Sequence, residues 1–125
     1  MKKRRNELIS SLMAIELIDK CISIELLQKK ANEQFGGELV KTVVDIDSGV
    51  MAIGGVMHAD EEAFLLERGS KQNDLWGINL RPNDDDLIEF DSMINIRPSQ
   101  NNRSRSVEDQ QIQGKIRKII AELVK

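Results

Sequence analysis

Apolar and polar residues alternate most clearly in residues 75–98, where two apolar runs are separated by Pro82 and a short acidic link. Alternation on both sides of a turn predicts a β-hairpin. With Leu80 opposite Ile88, one face of this hairpin carries Trp76, Ile78, Phe90, Ser92, Ile94 and Ile96. The other face is polar and carries Gly77, Asn79, Arg81, Glu89, Asp91, Asn95 and Arg97. We expect the first face to be buried beneath the last helix.

The rest of the chain divides into short elements with recognisable ends. A strand is predicted within residues 14–18, and a helix over residues 24–35 begins after Ser23 and ends at Gly36. A second hairpin is predicted from residues 39–46 and 50–53, which flank an Asp-Ser-Gly turn. A short helix over residues 61–68 follows Asp60, and a last helix with an apolar stripe starts at Ser106.

This order of elements predicts an α+β domain. Its β-sheet is small, antiparallel or mixed, and built from two hairpins, and the helices pack on one face. Residues 1–12 are basic and precede the series of strands and helices, so we expect them to be an N-terminal extension. Residues 13–125 are expected to form a single domain, because a chain of 125 residues has room for one core.

Composition and charge limit the classes of function. The net charge of −3 conceals an acidic middle, with 12 acidic and 3 basic residues in residues 45–91, and a basic end, with 7 basic and 3 acidic residues in residues 92–125. This split, together with the unpaired edges of a short sheet, favours a homo-oligomer. Overall acidity and an aromatic content of 3% argue against nucleic-acid binding. A lone cysteine favours the reducing cytoplasm, and no apolar run is long enough for a membrane span.

Two groups of side chains suit acid–base chemistry. His58 precedes Asp60, Glu61 and Glu62, but acids at a helix start are explained by capping and by the helix dipole, so neither a metal site nor a cofactor is predicted. Glu89 and Asp91 lie two residues apart on one strand and therefore point to the same polar face. Paired carboxylates suit general acid–base catalysis, although a solvated sheet surface explains them equally well.

The segment after Pro98 predicts an anion site. Its amides and guanidinium groups precede a helix whose first N–H groups lack internal partners, an arrangement that suits phosphate or carboxylate. The alternative is that these arginines pair with Glu62, Glu89 or Asp91. The candidate ligand-binding residues are His58, Asn79, Glu89, Asp91, Arg97, Asn101, Asn102 and Arg103.

A series of short motifs runs in order along the chain: Val43-Val44-Asp45-Ile46, Met51-Ala-Ile-Gly-Gly55, His58-Ala-Asp-Glu61, Leu75-Trp-Gly77, Ile94-Asn-Ile-Arg-Pro98 and Asn101-Asn-Arg-Ser104. With these motifs the chain resembles a family of small bacterial proteins catalogued only as a domain of unknown function. The resemblance extends from about Met13 to the C-terminus and implies a compact single domain. It implies no activity, cofactor or catalytic residue.

Three functional hypotheses follow. The first is a small cytoplasmic binding or interaction domain in which the Arg/Asn loop accepts an anionic ligand. The second is a small hydrolase-like enzyme that uses His58 with Glu89 or Asp91 as its base. The third, which the charge and aromatic content weaken, is an accessory protein that binds nucleic acid through its basic C-terminal part.

Overall fold

The computed structural model describes residues 14–125, so the predicted extension of residues 1–12 lies outside the described residues. Within this range the chain forms five strands and three α-helices. The strands are β1 (Glu16–Ile18), β2 (Val40–Asp45), β3 (Val50–Ile53), β4 (Leu75–Leu80) and β5 (Ile88–Glu89). The helices are α1 (Ile24–Phe35), α2 (His58–Glu67) and α3 (Gln110–Leu123). None of the described helices is both long and apolar enough to cross a lipid bilayer.

The five strands form one sheet in the order β1-β3-β2-β4-β5, and every pairing is antiparallel. The two predicted hairpins are joined by pairing of β2 with β4, which places Val43 opposite Gly77 and Lys41 opposite Asn79. The predicted pairing of Leu80 with Ile88 is present. The α+β prediction with an antiparallel sheet is therefore confirmed.

Both faces of the sheet are covered. Alternate residues of β4, including Trp76 and Ile78, face the larger core, which α1 and α3 complete. On the opposite face, Leu65 of α2 packs with Leu75 and Val43 in a smaller cluster. The expectation that helices pack on one face thus describes α1 and α3, whereas α2 packs on the other face. On that other face, α2 covers the residues of β4 and β2 that point away from the larger core, and these residues are more polar.

The helix ends follow local capping chemistry where a cap is present. Ser23 accepts a hydrogen bond from the N–H of Leu26, and Gly36 ends α1 with a left-handed backbone at φ 61°, as predicted. Helix α2 starts at His58 rather than Glu61, without a side-chain cap. Helix α3 starts at Gln110, because Asp109 and not Ser106 supplies the capping oxygen.

The hairpin predicted over residues 75–98 is shorter than its alternation predicts. Strand β5 ends at Glu89, and the chain then forms a 3-10 turn at Met93–Asn95, where the Ser92 hydroxyl accepts from the N–H of Ile94. The predicted burial of Ile94 and Ile96 beneath the last helix is therefore wrong. Ile94 packs against the α2-side cluster, and Ile96 is 40% exposed.

Candidate functional site

Three of the predicted site residues lie around one pocket between the start of α2, strand β4 and residues 91–94. The pocket has a volume of about 190 Å³. Its walls include His58, Asn79 and Asp91 from the predicted set. The remaining lining residues are Lys41, Met57, Ala59, Ser92, Met93, Ile94 and Arg105. Topology explains the convergence, since α2 lies over the face of the sheet to which Asn79 and Lys41 point.

Asn79 is the most unusual group in this pocket. Its Nδ2 donates to the Glu89 Oε1 at 2.8 Å and to the carbonyl of Asp91 at 3.4 Å. Because both neighbours are acceptors, the orientation of the amide is fixed by chemistry. Its Oδ1 is then left buried, with no hydrogen-bond partner among residues 14–125. A buried amide oxygen without a donor costs about 1–3 kcal/mol, and native proteins rarely leave one unexplained.

His58 enters the pocket as a neutral ring. Its Nε2 lies 2.8 Å from the carbonyl oxygen of Ile78, which can only accept, so Nε2 carries the proton and Nδ1 carries the lone pair. Burial lowers the pKa of His58 below its usual range, and the bond to Ile78 offsets this effect only in part. The positive charge of Lys41 lowers the pKa further. Near pH 7 the ring therefore brings an acceptor rather than a positive charge.

The permanent positive charges of the pocket come from Lys41 and Arg105. The Nε of Arg105 donates to the Asp91 Oδ1 at 2.6 Å in a pair that is about half exposed. Lys41 forms no ion pair with any residue in the range 14–125, and its Nζ lies 5.6 Å from the centre of the Phe35 ring. The pocket therefore contains one positive charge, on Lys41, that no carboxylate of the described residues contacts directly.

Glu61 lies one turn after His58 on α2 and is fully buried. Its Oε2 accepts from the N–H of Gly55 at 3.0 Å, while its Oε1 has no partner among the described residues. Burial raises the pKa of Glu61 well above its usual range, against the smaller lowering effects of the Gly55 bond and the Lys41 charge. The sequence pattern assigned Glu61 to the helix dipole and so missed it. Gly55 is the sequence feature that indicates a close contact at this point. A Cβ at position 55 would lie only 2.8 Å from the Glu61 Cγ.

Glu89 lies beside the pocket and not in its wall. Arg81 donates to both of its oxygens, through Nε and Nη2 at 3.1 Å each. These bonds, with the one from Asn79, lower the pKa of Glu89. Its carboxylate therefore orients Asn79 and pairs with Arg81, and it is not available as a base in the pocket.

Arg97 is an internal residue and not part of an open loop. Only 9% of it is exposed, and its guanidinium forms an ion pair with Glu62 at 3.2 Å. The other acceptors of its N–H groups are the carbonyls of Ile94, Gln72 and Leu75 and the Oε1 of Gln100. The structure therefore shows the alternative arrangement, in which this arginine already pairs with a carboxylate.

The other residues of the predicted anion loop also have internal roles. The Nδ2 of Asn102 donates to the carbonyls of Asn95, Ser104 and Ser106, and its Oδ1 accepts from the N–H of Glu108. The Glu108 carboxylate accepts from the backbone N–H groups of Arg103 and Ser104, at 2.8 Å each. Asn101 is exposed in a left-handed turn at φ 58°. None of Arg97, Asn101, Asn102 and Arg103 lines the pocket.

A second cavity, of about 240 Å³, lies at the opposite end of β2 beside Asp45, Arg68 and Ser70. The Asp45 carboxylate is fully engaged there by the N–H groups of Asp47 and Ser48 and by the Ser70 hydroxyl. The Asp45 carboxylate thus has no oxygen without a donor. Among residues 14–125, no cluster of three or more His, Cys, Asp and Glu side chains is placed to hold a metal ion.

The chain belongs to the family described as "Protein of unknown function (DUF5674)", whose model matches residues 16–123. This assignment confirms the resemblance to a domain of unknown function. No curated protein matches the chain significantly, and no solved structure does so.

Proposed function

We propose that this protein is a small binding domain whose pocket takes a small anionic ligand that also carries an N–H or O–H donor. The observation that carries the proposal is the buried, unpartnered Oδ1 of Asn79, a residue that lines the pocket. A ligand donor placed there relieves a cost that the protein otherwise bears. Because this oxygen is covered, a ligand reaches it only after a side chain moves. Met57 and Met93 also line the pocket, and both are more than half exposed and therefore able to move.

The charge of the ligand follows from Lys41, which faces the pocket without a carboxylate partner among residues 14–125. A carboxylate or phosphate forms a charge-assisted hydrogen bond with such an ammonium group. The volume of about 190 Å³ is below the range of roughly 300–1,000 Å³ for drug-sized ligands, which favours a small metabolite. The anion is thus proposed for the pocket rather than for the Arg/Asn loop, where Arg97, Asn102 and the backbone N–H of Arg103 already have internal acceptors.

Binding is a better account of this geometry than hydrolysis. The hydrolase hypothesis needs His58 to work with Glu89 or Asp91. Glu89 is engaged by Arg81, and Asp91 is paired with Arg105. The Nε2 of His58 is held by a backbone carbonyl, so the base that remains is its Nδ1 alone.

Malate and succinate provide a matched test, because they differ only by the hydroxyl group of malate. Malate is expected to bind wild type about tenfold more tightly than succinate, since only malate can donate to the Asn79 oxygen. Lys41→Gln is expected to weaken malate binding by about ten- to a hundredfold, the range for a hydrogen bond to a charged group. Dissociation constants are measured from amide shifts in NMR titrations. Lys71→Gln, in the second cavity, is the control and is expected to bind malate like wild type. Equal affinities for malate and succinate would contradict the proposal.

We also propose a cytoplasmic location and self-association. The single thiol, Cys21, is exposed and has no second cysteine with which to form an internal disulfide, which favours a reducing compartment. The strand β1 has no neighbour on its outer side among the described residues, and its Leu17 is 39% exposed, so this edge suits pairing with a second copy.

Light scattering after size-exclusion chromatography is expected to give about twice the mass of the 14.2 kDa chain at micromolar concentration. Leu17→Lys, which places a charge at the exposed edge, is expected to shift the protein toward the monomer. A monomer mass for wild type across the accessible concentration range contradicts self-association.

A further inference from the structure

We propose that the proton on the buried carboxyl of Glu61 controls how tightly the pocket binds its anion, and that Lys41 transmits this control. The inference rests on the proposed anion site and adds its regulation. Three features of the fold carry it: a buried carboxyl with an unpartnered oxygen, a lysine shared with the pocket, and the placement of both on facing elements.

The geometry connects Glu61 to the pocket through a single strand. Glu61 and His58 lie three residues apart on α2 and therefore on the same face, which packs on β2. Lys41 of β2 is paired directly opposite Asn79, and it lines the pocket. Its charge acts on Glu61 as well as on His58. Lys41 is therefore the charged group whose field acts on the buried carboxyl and which also lines the pocket.

The protonation state of Glu61 decides how much of the Lys41 charge the anion experiences. A protonated Glu61 is neutral and does not compete with the ligand for the Lys41 ammonium group. An ionised Glu61 is a competing anion in a region of low dielectric, where charge interactions are strong. Its Oε1 has no donor among the described residues, so an ionised Glu61 is expected to attract the Lys41 ammonium away from the ligand.

The direction of the pH dependence follows from the raised pKa of Glu61. Below that pKa the carboxyl is neutral and anion affinity is full, and affinity falls as the pH rises through it. Other charged groups facing these residues are Asp60, Asp91 and Arg105. Of the pocket groups, His58 can imitate the effect, since a protonated ring also attracts an anion at low pH. By linkage, a tenfold loss of affinity on ionisation requires that the bound anion raise the pKa of Glu61 by about one unit.

The experiment measures malate dissociation constants from about pH 5 to about pH 9 in wild type, Glu61→Gln and His58→Gln. Wild type is expected to lose roughly tenfold in affinity across this range, within the usual span of allosteric coupling. Glu61→Gln, which imitates the protonated acid, is expected to stay as tight as wild type at low pH and to show no such fall. His58→Gln is expected to keep the slope of wild type. The same slope in Glu61→Gln as in wild type overturns the inference.

A second measurement needs no variant and so does not depend on how well Glu61→Gln folds. The carboxyl carbon of Glu61 is followed by ¹³C NMR in wild type, with and without saturating malate. Malate is expected to move the titration of Glu61 to higher pH, and an unmoved titration overturns the inference. Absence of malate binding at every pH refutes the proposed anion site itself, whereas binding with no link to Glu61 refutes only its regulation.

Discussion

Replacing Asn95 by alanine is expected to lower the free energy of unfolding by about 3–5 kcal/mol. The side chain of Asn95 is completely buried. Its Oδ1 accepts from the N–H of Gly77 at 2.8 Å, and its Nδ2 donates to the carbonyls of Gly77 and Arg105 at 2.9 and 3.0 Å. Truncation leaves the N–H and the carbonyl of Gly77 without partners, and each such group costs about 1–3 kcal/mol. The carbonyl of Arg105 keeps the bond that it accepts from the N–H of Ser92.

The effect is large because Asn95 replaces a missing strand. Strand β5 pairs with β4 only at Asn79 and Leu80, so the edge of β4 around Gly77 has no backbone neighbour. A primary amide has the same donor and acceptor as a peptide group, and Asn95 therefore satisfies both groups of Gly77 at once. Sheet edges that are not covered in some way invite pairing with other chains.

Urea denaturation measures this loss as a shift in the midpoint at constant slope. Asn95→Asp is the informative companion variant, because it keeps the acceptor for Gly77 but has no donor for either carbonyl, and we expect it to be at least as unstable as alanine. Asn101→Gly is the control, since Asn101 is exposed in a left-handed turn that glycine adopts freely. A loss below about 1 kcal/mol for Asn95→Ala would show that water replaces the amide without penalty.

The elements that sequence reasoning predicted well are those fixed by local chemistry. Helix α1 has its serine cap and its terminal glycine within the same stretch of chain, and both ends were predicted correctly. The β2–β3 hairpin is set by its own turn residues and apolar runs. In these places the periodicity and the turn or cap residues point to the same structure, which is why a single sequence suffices.

Residues 90–109 were predicted poorly because their structure depends on distant partners. Ile78-Asn-Leu-Arg-Pro82 and Ile94-Asn-Ile-Arg-Pro98 have nearly the same pattern, yet the first ends a strand and the second forms turns. What separates them is long-range: Asn95 bonds Gly77, and Arg97 bonds carbonyls more than twenty residues away. Alternation alone carries no information about such contacts.

The candidate site was predicted in part for the same reason. His58, Asn79 and Asp91 are among the candidate ligand-binding residues predicted from the sequence, and the fold brings these three to one pocket. Lys41 and Glu61 were missed, because their importance arises from the β2–β4 register and from the packing of α2. Residue type and spacing do not distinguish a buried carboxyl at a helix start from an exposed one that interacts with the dipole.

Arg97→Ala is expected to cost about 3–5 kcal/mol of stability, as for other buried ion pairs that lose one partner. The change leaves the Glu62 carboxylate largely buried, with 14% of its side chain exposed and without its cation. It also removes donors from the carbonyls of Gln72 and Leu75, at the two ends of one turn, and of Ile94 in another turn. Burial lowers the pKa of Arg97, but a guanidinium group in a protein stays charged, so the pair with Glu62 is ionic.

Arg97→Lys separates geometry from charge. Lysine restores a positive charge beside Glu62, but its single ammonium cannot reproduce the planar fork that contacts several carbonyls, so we expect most of the loss to persist. Arg103→Ala is the matched control in the same loop, because its side chain is exposed and only its backbone N–H is bonded, and its urea midpoint is expected to stay within the error of wild type. Similar midpoints for Arg97→Ala and Arg103→Ala would mean that Arg97 is a surface group after all. In that case the anion would return to the loop, and the pocket at Asn79 would lose its role as the preferred site.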